Sequence, residues 1–358
     1  MKPITSFALL CAFAAVSNGA VTDPVGYFTV PLPGTGGGSA QKLQIANLGL
    51  LPSSGVEASG VIESFASDGG GTFLTDTEGS WSAGDYVNGT QVSHLVEITA
   101  VAGGDANLVG SMTWITASDA NKLYLSDDIS AAGAGASYRV VAAFTVESLL
   151  GNPPVAATFA GAGNVTDADN LLILDPTTNT YTTFWYKSSG LGGTGWRASG
   201  IDNSLVASTA IHPNDGLVFL RKQSADGSLV IVGDVKTTGT DIMVQGDGSG
   251  TVLNIVSIPI PVDQLTFAAS NLYTGDNSTG LKGAGNVTDA DNVLVFDATT
   301  NTYTTFWYKD SGLGGTGWRA SGVADPANYV IPSERALLIQ RKSGASFTWS
   351  VPAVDIAE

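Results

Sequence analysis

Four side chains with metal-ligating oxygens recur together. Asn164, Asp167, Asp169 and Asp175 return 122 residues later as Asn286, Asp289, Asp291 and Asp297. Closely spaced Asp and Asn side chains in a loop supply the hard oxygen ligands that Ca²⁺ takes, so Asp167, Asp169, Asp289 and Asp291 are candidate calcium ligands. The spacing lacks the central glycine and distal glutamate of an EF-hand, and the same residues are also common turn formers. A second recurrent set is aromatic and cationic: Trp185, Trp196 and Arg197, answered by Trp307, Trp318 and Arg319. Exposed Trp offers a large rigid face for stacking on a sugar ring or an apolar ligand, which makes these six the candidate binding residues. The competing reading is core packing. Tyr181, Thr183, Trp185 and Lys187 alternate with Thr182, Phe184 and Tyr186, and one face of such a strand must be buried. Trp196 and Trp318 are therefore the better exposed candidates.

Other chemistries find less support. Gly190–Gly195 and Gly312–Gly317 each satisfy G-x-G-x-x-G. The dinucleotide fingerprint also needs a strand before it and a helix after it, and Trp-Arg-Ala-Ser-Gly has no helical period. His94 and His212 are the only histidines, and no third partner suggests a Ser-His-Asp triad or a His-based zinc site. A carboxylate pair of glycosidase type needs no histidine, but nothing singles out a pair among 32 acids.

These residues sit in a duplicated passage. Gly161–Gly200 and Gly283–Gly322 match at 35 of 40 positions. The offset falls from 122 to 120 by Arg221 and Arg341, so the connection after the Trp loop is two residues shorter in the second copy. A repeat on this scale sets the architecture. Its apolar runs are short, rich in Val, Ile, Tyr, Phe, Trp and Thr, and bounded by Gly, Asn, Asp and Pro, which predicts strands. The first copy predicts strands at 170–175, 181–187, 217–222 and 229–232, and the second at 293–297, 303–309, 336–342 and 347–350. Upstream, strands are expected at 27–30, 56–65, 92–99, 111–116, 122–125 and 138–142, with Val92, His94, Val96 and Ile98 on one face and Glu97 on the other. Only 146–150 and 262–267 read as helical turns. The fold class is all-β: a small N-terminal β-barrel or sandwich over 21–142, a β-repeat over 143–236, and a linker strand plus second β-repeat over 237–358. Matching hairpins in the two copies predict a pseudo-twofold pair.

Residues 1–20 read as a signal peptide: Lys2, a short apolar run from Ser6 to Val16, and small residues Ser17, Gly19 and Ala20 for cleavage. No later stretch is long and apolar enough to cross a membrane as a helix. Cys11 lies within the signal, so the mature chain has no thiol for a disulfide, a nucleophile or a metal. The formal net charge is −17. With no basic patch to neutralise phosphate, nucleic acid and anionic membrane surfaces are excluded as partners. Charged residues make up only 13 %, about half the usual share, so the surface is mostly uncharged and polar.

On Asp169–Asp175, Thr180–Arg197 and their second copies, with SGLGGTGWR occurring twice, the chain resembles an uncharacterised family of exported β-rich proteins from Verrucomicrobia. The resemblance extends to Thr22–Gly26, to an Ile-x-Pro-like turn after each motif and to the strands ending in Arg221 and Arg341. It implies a secreted all-β protein with an internal repeat and carries no activity with it. The Asp167/Asp169 cluster is richer in acid than the family's pattern.

The expected function is accordingly that of a non-catalytic exported protein of the bacterial envelope, structural or interaction-forming, in the periplasm, at the cell surface or outside the cell. Its partners would be glycans or other envelope proteins, with calcium as the one candidate cofactor. The alternatives are a carbohydrate-binding module that uses the Trp loops and a secreted carboxylate-dependent hydrolase.

Overall fold

A computed structural model describes residues 25–37, 41–52, 56–236, 238–259 and 264–353. The expected signal segment, the first residues of the 22–26 resemblance and the start of the expected 262–267 turn lie outside the described residues. The protein is almost entirely β, in the fold class expected. Three packed units make it up.

The first unit is a barrel. Its strands run in the order Val56–Val61, Ser137–Ala142, His94–Ala100, Met112–Asp119, Lys122–Leu125, Gly71–Thr75 and Ser64–Asp68, every neighbouring pair antiparallel. The two edge strands are one run of chain bent at Ile62 and Glu63. Ile62 N–H donates to Ala136 on one side at 2.8 Å and Glu63 N–H to Thr75 on the other at 2.9 Å, which closes the sheet on itself. Leu74, Val96, Ile98, Ile115, Leu123, Tyr138 and Val140 fill the interior. Closure removes the exposed edges of an open sheet.

The other two units are the copies, and they share one plan. In the first, the order is Gly195–Ala198, Thr180–Lys187, Asn170–Asp175, Leu217–Arg221 and Lys42–Ala46. In the second it is Gly317–Ala320, Thr302–Lys309, Asn292–Asp297, Leu337–Lys342 and Thr251–Val256. Each five-stranded sheet is closed over by a two-stranded ribbon, Val25–Leu32 with Gly227–Asp234 in the first copy and Thr240–Asp247 with Ala345–Val351 in the second. Phe184, Trp196 and Phe219 pack against Val30 and Ile231 in one core, and Phe306, Trp318 and Ile339 against Val244 and Trp349 in the other. On the opposite faces the two sheets meet, and they meet with the same positions: Leu172, Leu174 and Val218 from one, Leu294, Phe296 and Leu338 from the other, with Ile45 and Ile255 beside them.

This arrangement corrects the expected unit boundaries. The first copy does not begin at 143. Residues 25–46 supply two of its strands, and the barrel is inserted between Ala46 and the return of the chain at Phe144. The strands over 240–256 are not a linker; they complete the second copy as 25–46 complete the first. The boundary was hidden because only Leu43-Gln44-Ile45 and Leu253-Asn254-Ile255 still look alike across these outer strands. The short helix Val146–Leu150 forms as expected, capped by Thr145, whose hydroxyl accepts from Ser148 N–H.

One further difference concerns Glu97. It was expected on the face opposite Val96 and Ile98, and both faces are buried there. Its carboxylate bonds Arg139 Nε at 2.8 Å and the buried ammonium of Lys236 at 3.2 Å. Lys236 lies in the connection between the copies, so this charge cluster ties the barrel to that connection.

Candidate functional site

The structure divides the residues singled out by sequence. Trp196 is 2 % exposed and Trp318 is 5 % exposed. Trp196 packs edge-on against Tyr186 at 5.6 Å and Trp318 against Tyr308 at 5.7 Å, and Trp196 Nε1–H donates to Gly151 C=O at 2.9 Å. Neither indole can stack on a sugar, so the Trp-loop basis for carbohydrate binding is withdrawn. The indoles are core anchors because the short strands carrying them turn that side of the chain onto Phe159 and Phe267. Trp185 and Trp307 are half-buried on the other face, opposite Arg197 and Arg319.

Arg197 and Arg319 act on their own loops. Arg197 donates to the carbonyls of Gly192 at 3.0 Å and Gly193 at 3.2 Å; Arg319 does the same for Gly314 and Gly315. Lys187 and Lys309 tie down the carbonyls of Leu191 and Leu313. Gly190, Gly192, Gly193 and Gly195 have φ of 91°, 89°, 75° and 134°, which is why the loop is glycine-rich. The loop is a braced turn that shows solvent a leucine, Leu191 or Leu313, each 95 % exposed.

The acidic cluster also separates. Asp169 and Asp291 are buried in ion pairs with Arg221 and Arg341, at 3.0 and 2.5 Å. Asp169 further accepts from the N–H groups of Ala160 and Lys222, and Asp291 from those of Lys282 and Lys342. Their oxygens are occupied as internal struts that tie the loop before each central strand to the strand beside it. Asp167 and Asp289 remain in the turn, each accepting from the Asn three residues earlier at 2.8 Å. The structure therefore does not gather Asp167 with Asp169, or Asp289 with Asp291, into one coordination shell. Asp175 and Asp297 cap hairpin turns.

A sizeable concavity lies elsewhere. A cavity of about 490 Å³ opens where the three units meet. The barrel contributes Met112, Trp114, Asp127 and Asp128. The first copy contributes Leu174, His212, Asn214 and Asp215. The second contributes Asp241, Met243, Gln245 and Asn254. The volume lies in the range of small-molecule sites, and domain junctions are where such sites form.

Its polar groups are held by the framework. His212 meets Trp114 edge-on at 5.2 Å, and its Nδ1 accepts from Asn214 N–H at 3.1 Å, which leaves the proton of the neutral ring on Nε2. Enclosure by protein lowers its pKa to about 4, against smaller upward pulls from Asp127 and the Met112 backbone. Asp215 moves the other way. Desolvation raises its pKa to about 7, with Asp175 adding to the rise and the His212 N–H bond opposing it. Asp241 accepts from Ser111 Oγ at 2.5 Å and Ser350 Oγ at 2.7 Å, joining barrel and second copy through one carboxylate. Asp127 accepts from Thr113 and Ser126 hydroxyls at the mouth. The Asn214 amide nitrogen is bonded to the Asp241 carbonyl, while its oxygen is shielded from solvent and has no protein donor.

Sequence reasoning considered only His212 among these. Asp127, Asp215 and Asp241 lie in three separate turns or strands, and no spacing rule connects them. A strongly raised carboxylate in a concave site is the physical signature that could have pointed here, but it exists only once the chain is folded. His94 stays in the barrel, against Tyr86 at 5.3 Å and Ser93 Oγ at 2.8 Å. Among the described residues, no helix is long and apolar enough to cross a membrane, and no three Asp, Glu, His or Cys side chains are grouped to hold a metal ion.

No family model, curated protein or solved structure matches this chain.

Proposed function

We propose that this chain is an exported, non-catalytic β-protein of the bacterial envelope or its surroundings that acts by binding, with the junction cavity as its binding site. The observation that carries the reading is that cavity: three units contribute to its wall, and one of its carboxylates, Asp241, is held by hydroxyls from two of them. The duplicated motif supports it indirectly. Its Trp, Arg, Asp and Gly residues are engaged in bracing each copy, which leaves the motif as scaffold and the junction as the place where chemistry is concentrated. Preorganised polar groups on rigid strands favour selective binding, because little ordering remains to be done when the ligand arrives.

The test is a ligand-observed NMR screen of the mature chain against glycans, amines and short peptides. Hits are then remeasured on Thr177→Trp, which adds bulk at the exposed rim while keeping the Thr177 main-chain bond to Asp175. Binding that disappears in the folded variant supports the reading. Hits that bind Thr177→Trp unchanged refute it.

A secreted hydrolase is the second reading, favoured by one observation: Asp215 is held protonated to about pH 7 beside other carboxylates, as a general acid must be. Turnover of any glycoside or ester that is lost in Asp215→Asn would replace the binding reading with this one.

A further inference from the structure

The cavity also has a chemical preference, and this step rests on the binding role given to it above. Among its lining residues are four carboxylates, Asp127, Asp128, Asp215 and Asp241, and no lysine or arginine. The one imidazole has its Nδ1 already used as an acceptor. The Asn214 amide nitrogen is bonded to Asp241 C=O, and its oxygen is shielded from solvent. The wall mixes both kinds of group: His212 keeps an N–H on Nε2 and Asp215 is protonated below about pH 7, while Asp127, Asp128 and Asp241 supply acceptors with no lysine or arginine lining the cavity beside them, which favours a ligand that brings donors. The remaining wall is apolar: Trp114, Met112, Met243, Leu174 and Ile242.

Three ligand chemistries compete for such a wall. A bare metal ion needs several ligands converging on one point, and among the described residues no three acidic or histidine side chains converge in that way. A neutral polyol would satisfy the acceptors but bring no positive charge to Asp127 and Asp128, which have no lysine or arginine beside them in the lining. An organic ammonium compensates that charge and donates hydrogen bonds, and the roughly 490 Å³ leaves space for its apolar body against Trp114 and the two methionines.

We infer that the junction cavity is a site for a small organic cation, a primary amine with an aromatic or aliphatic body, whose ammonium bonds the carboxylates and whose body lies against Trp114, Met112 and Met243. The chain's strongly acidic balance works in the same direction, since a field of one sign raises the local concentration of oppositely charged ligand.

The test is calorimetric titration of the mature chain with arylalkylamines from benzylamine to tryptamine, each beside its neutral alcohol isostere. The inference expects every amine that binds to do so at least tenfold more tightly than its alcohol. It also expects Asp127→Asn, a change at the exposed mouth, to reduce that preference, and Thr177→Trp to abolish binding while the chain stays folded by circular dichroism. Equal binding of amine and alcohol, lost in Thr177→Trp, overturns the cation preference and leaves the cavity as a binding site. Binding of neither class to folded wild type overturns the cation preference, and the screen on Thr177→Trp then decides the cavity itself. Amine binding unaffected by Thr177→Trp overturns both.

Discussion

Asn47 and Ser257 hold equivalent places in the two copies and bond each other directly. Each follows the strand that edges its sheet, and each bonds the backbone of the other copy. Ile258 N–H donates to Asn47 Oδ1 at 2.8 Å, Leu48 N–H donates to Ser257 Oγ at 2.8 Å, and the Ser257 hydroxyl donates to Asn47 Oδ1. The Asn47 amide also donates to Ile258 C=O at 2.7 Å. Both residues are buried, so the contact is a polar latch inside the apolar seam between the sheets. Removing one side strands backbone groups in a dry place. Asn47→Leu should cost about 3 kcal/mol and Ser257→Ala about 1–2 kcal/mol by urea denaturation. The double mutant should depart from additivity by about 1 kcal/mol, because the residues share partners. Strict additivity would mean that the latch does not couple the copies.

The paired ion bridges give a second expectation. Arg221 with Asp169 and Arg341 with Asp291 lie within the two copies, and each arginine also donates to backbone carbonyls nearby. Breaking a buried pair from one side leaves an uncompensated charge. Asp169→Asn or Asp291→Asn should each destabilise by about 3–5 kcal/mol. Asp167→Asn, in the exposed turn, should change stability by less than about 0.5 kcal/mol. The contrast is checked in one set of denaturation curves and separates structural from peripheral acids within the same motif.

The motif loops make the reverse contrast. Trp196→Ala or Trp318→Ala should cost about 3–5 kcal/mol, as large aromatic truncations in cores do. Leu191→Ala and Leu313→Ala should be nearly neutral, since these side chains are exposed. Among the seven indoles, Trp196 and Trp318 should join Trp81 and Trp349 in being strongly shielded from acrylamide until the chain unfolds.

Proton linkage at the cavity has a definite sign. Asp215 has a folded pKa raised to about 7, so its favourable contribution is complete below the ordinary carboxylate range and is lost as pH rises toward 7. His212 is lowered to about 4, so its contribution is present above its ordinary pKa and is lost as pH falls toward 4. The two slopes oppose each other between about pH 4 and 6.5, which flattens the wild-type profile. Asp215→Asn removes one of them. The variant's stability relative to wild type should rise between pH 4 and 7, by up to about 1.4 kcal/mol per pH unit. Proton NMR of His212 should show the ring neutral at pH 5.5. Asp175, Asp127 and the Met112 backbone are the groups whose interactions oppose or add to these shifts. A His212 titration near 6.5 would contradict the enclosed junction.

The sequence carried the all-β class and most strands of the repeat, because alternating apolar runs between glycine-rich turns are local signals. The helix at Val146–Leu150 and the strand at Lys122–Leu125 were legible to the residue for the same reason. The insertion of the barrel was not legible. Strand Val25–Leu32 pairs with Gly227–Asp234 across some two hundred residues, and only long-range pairing reveals that the barrel interrupts a copy. The burial of Trp196 and Glu97 was likewise beyond local reading, since Trp196 is covered by Phe159 and Gly151 from far upstream in its own copy and Glu97 is paired with Lys236 from outside the barrel. The cavity is the extreme case: Trp114, Asp215 and Asp241 belong to three units and share no local pattern.

The central claim is that ligand enters the junction. Apart from Met1 the chain contains two methionines, Met112 and Met243, and both line the cavity. In a ¹³C-methyl-methionine spectrum of residues 21–358 both signals are reporters of the site. Titration with any ligand found by the screen should move both resonances along one saturable curve, and Thr177→Trp should abolish the movement. A ligand that binds the folded chain and leaves both methionine signals in place would contradict the account.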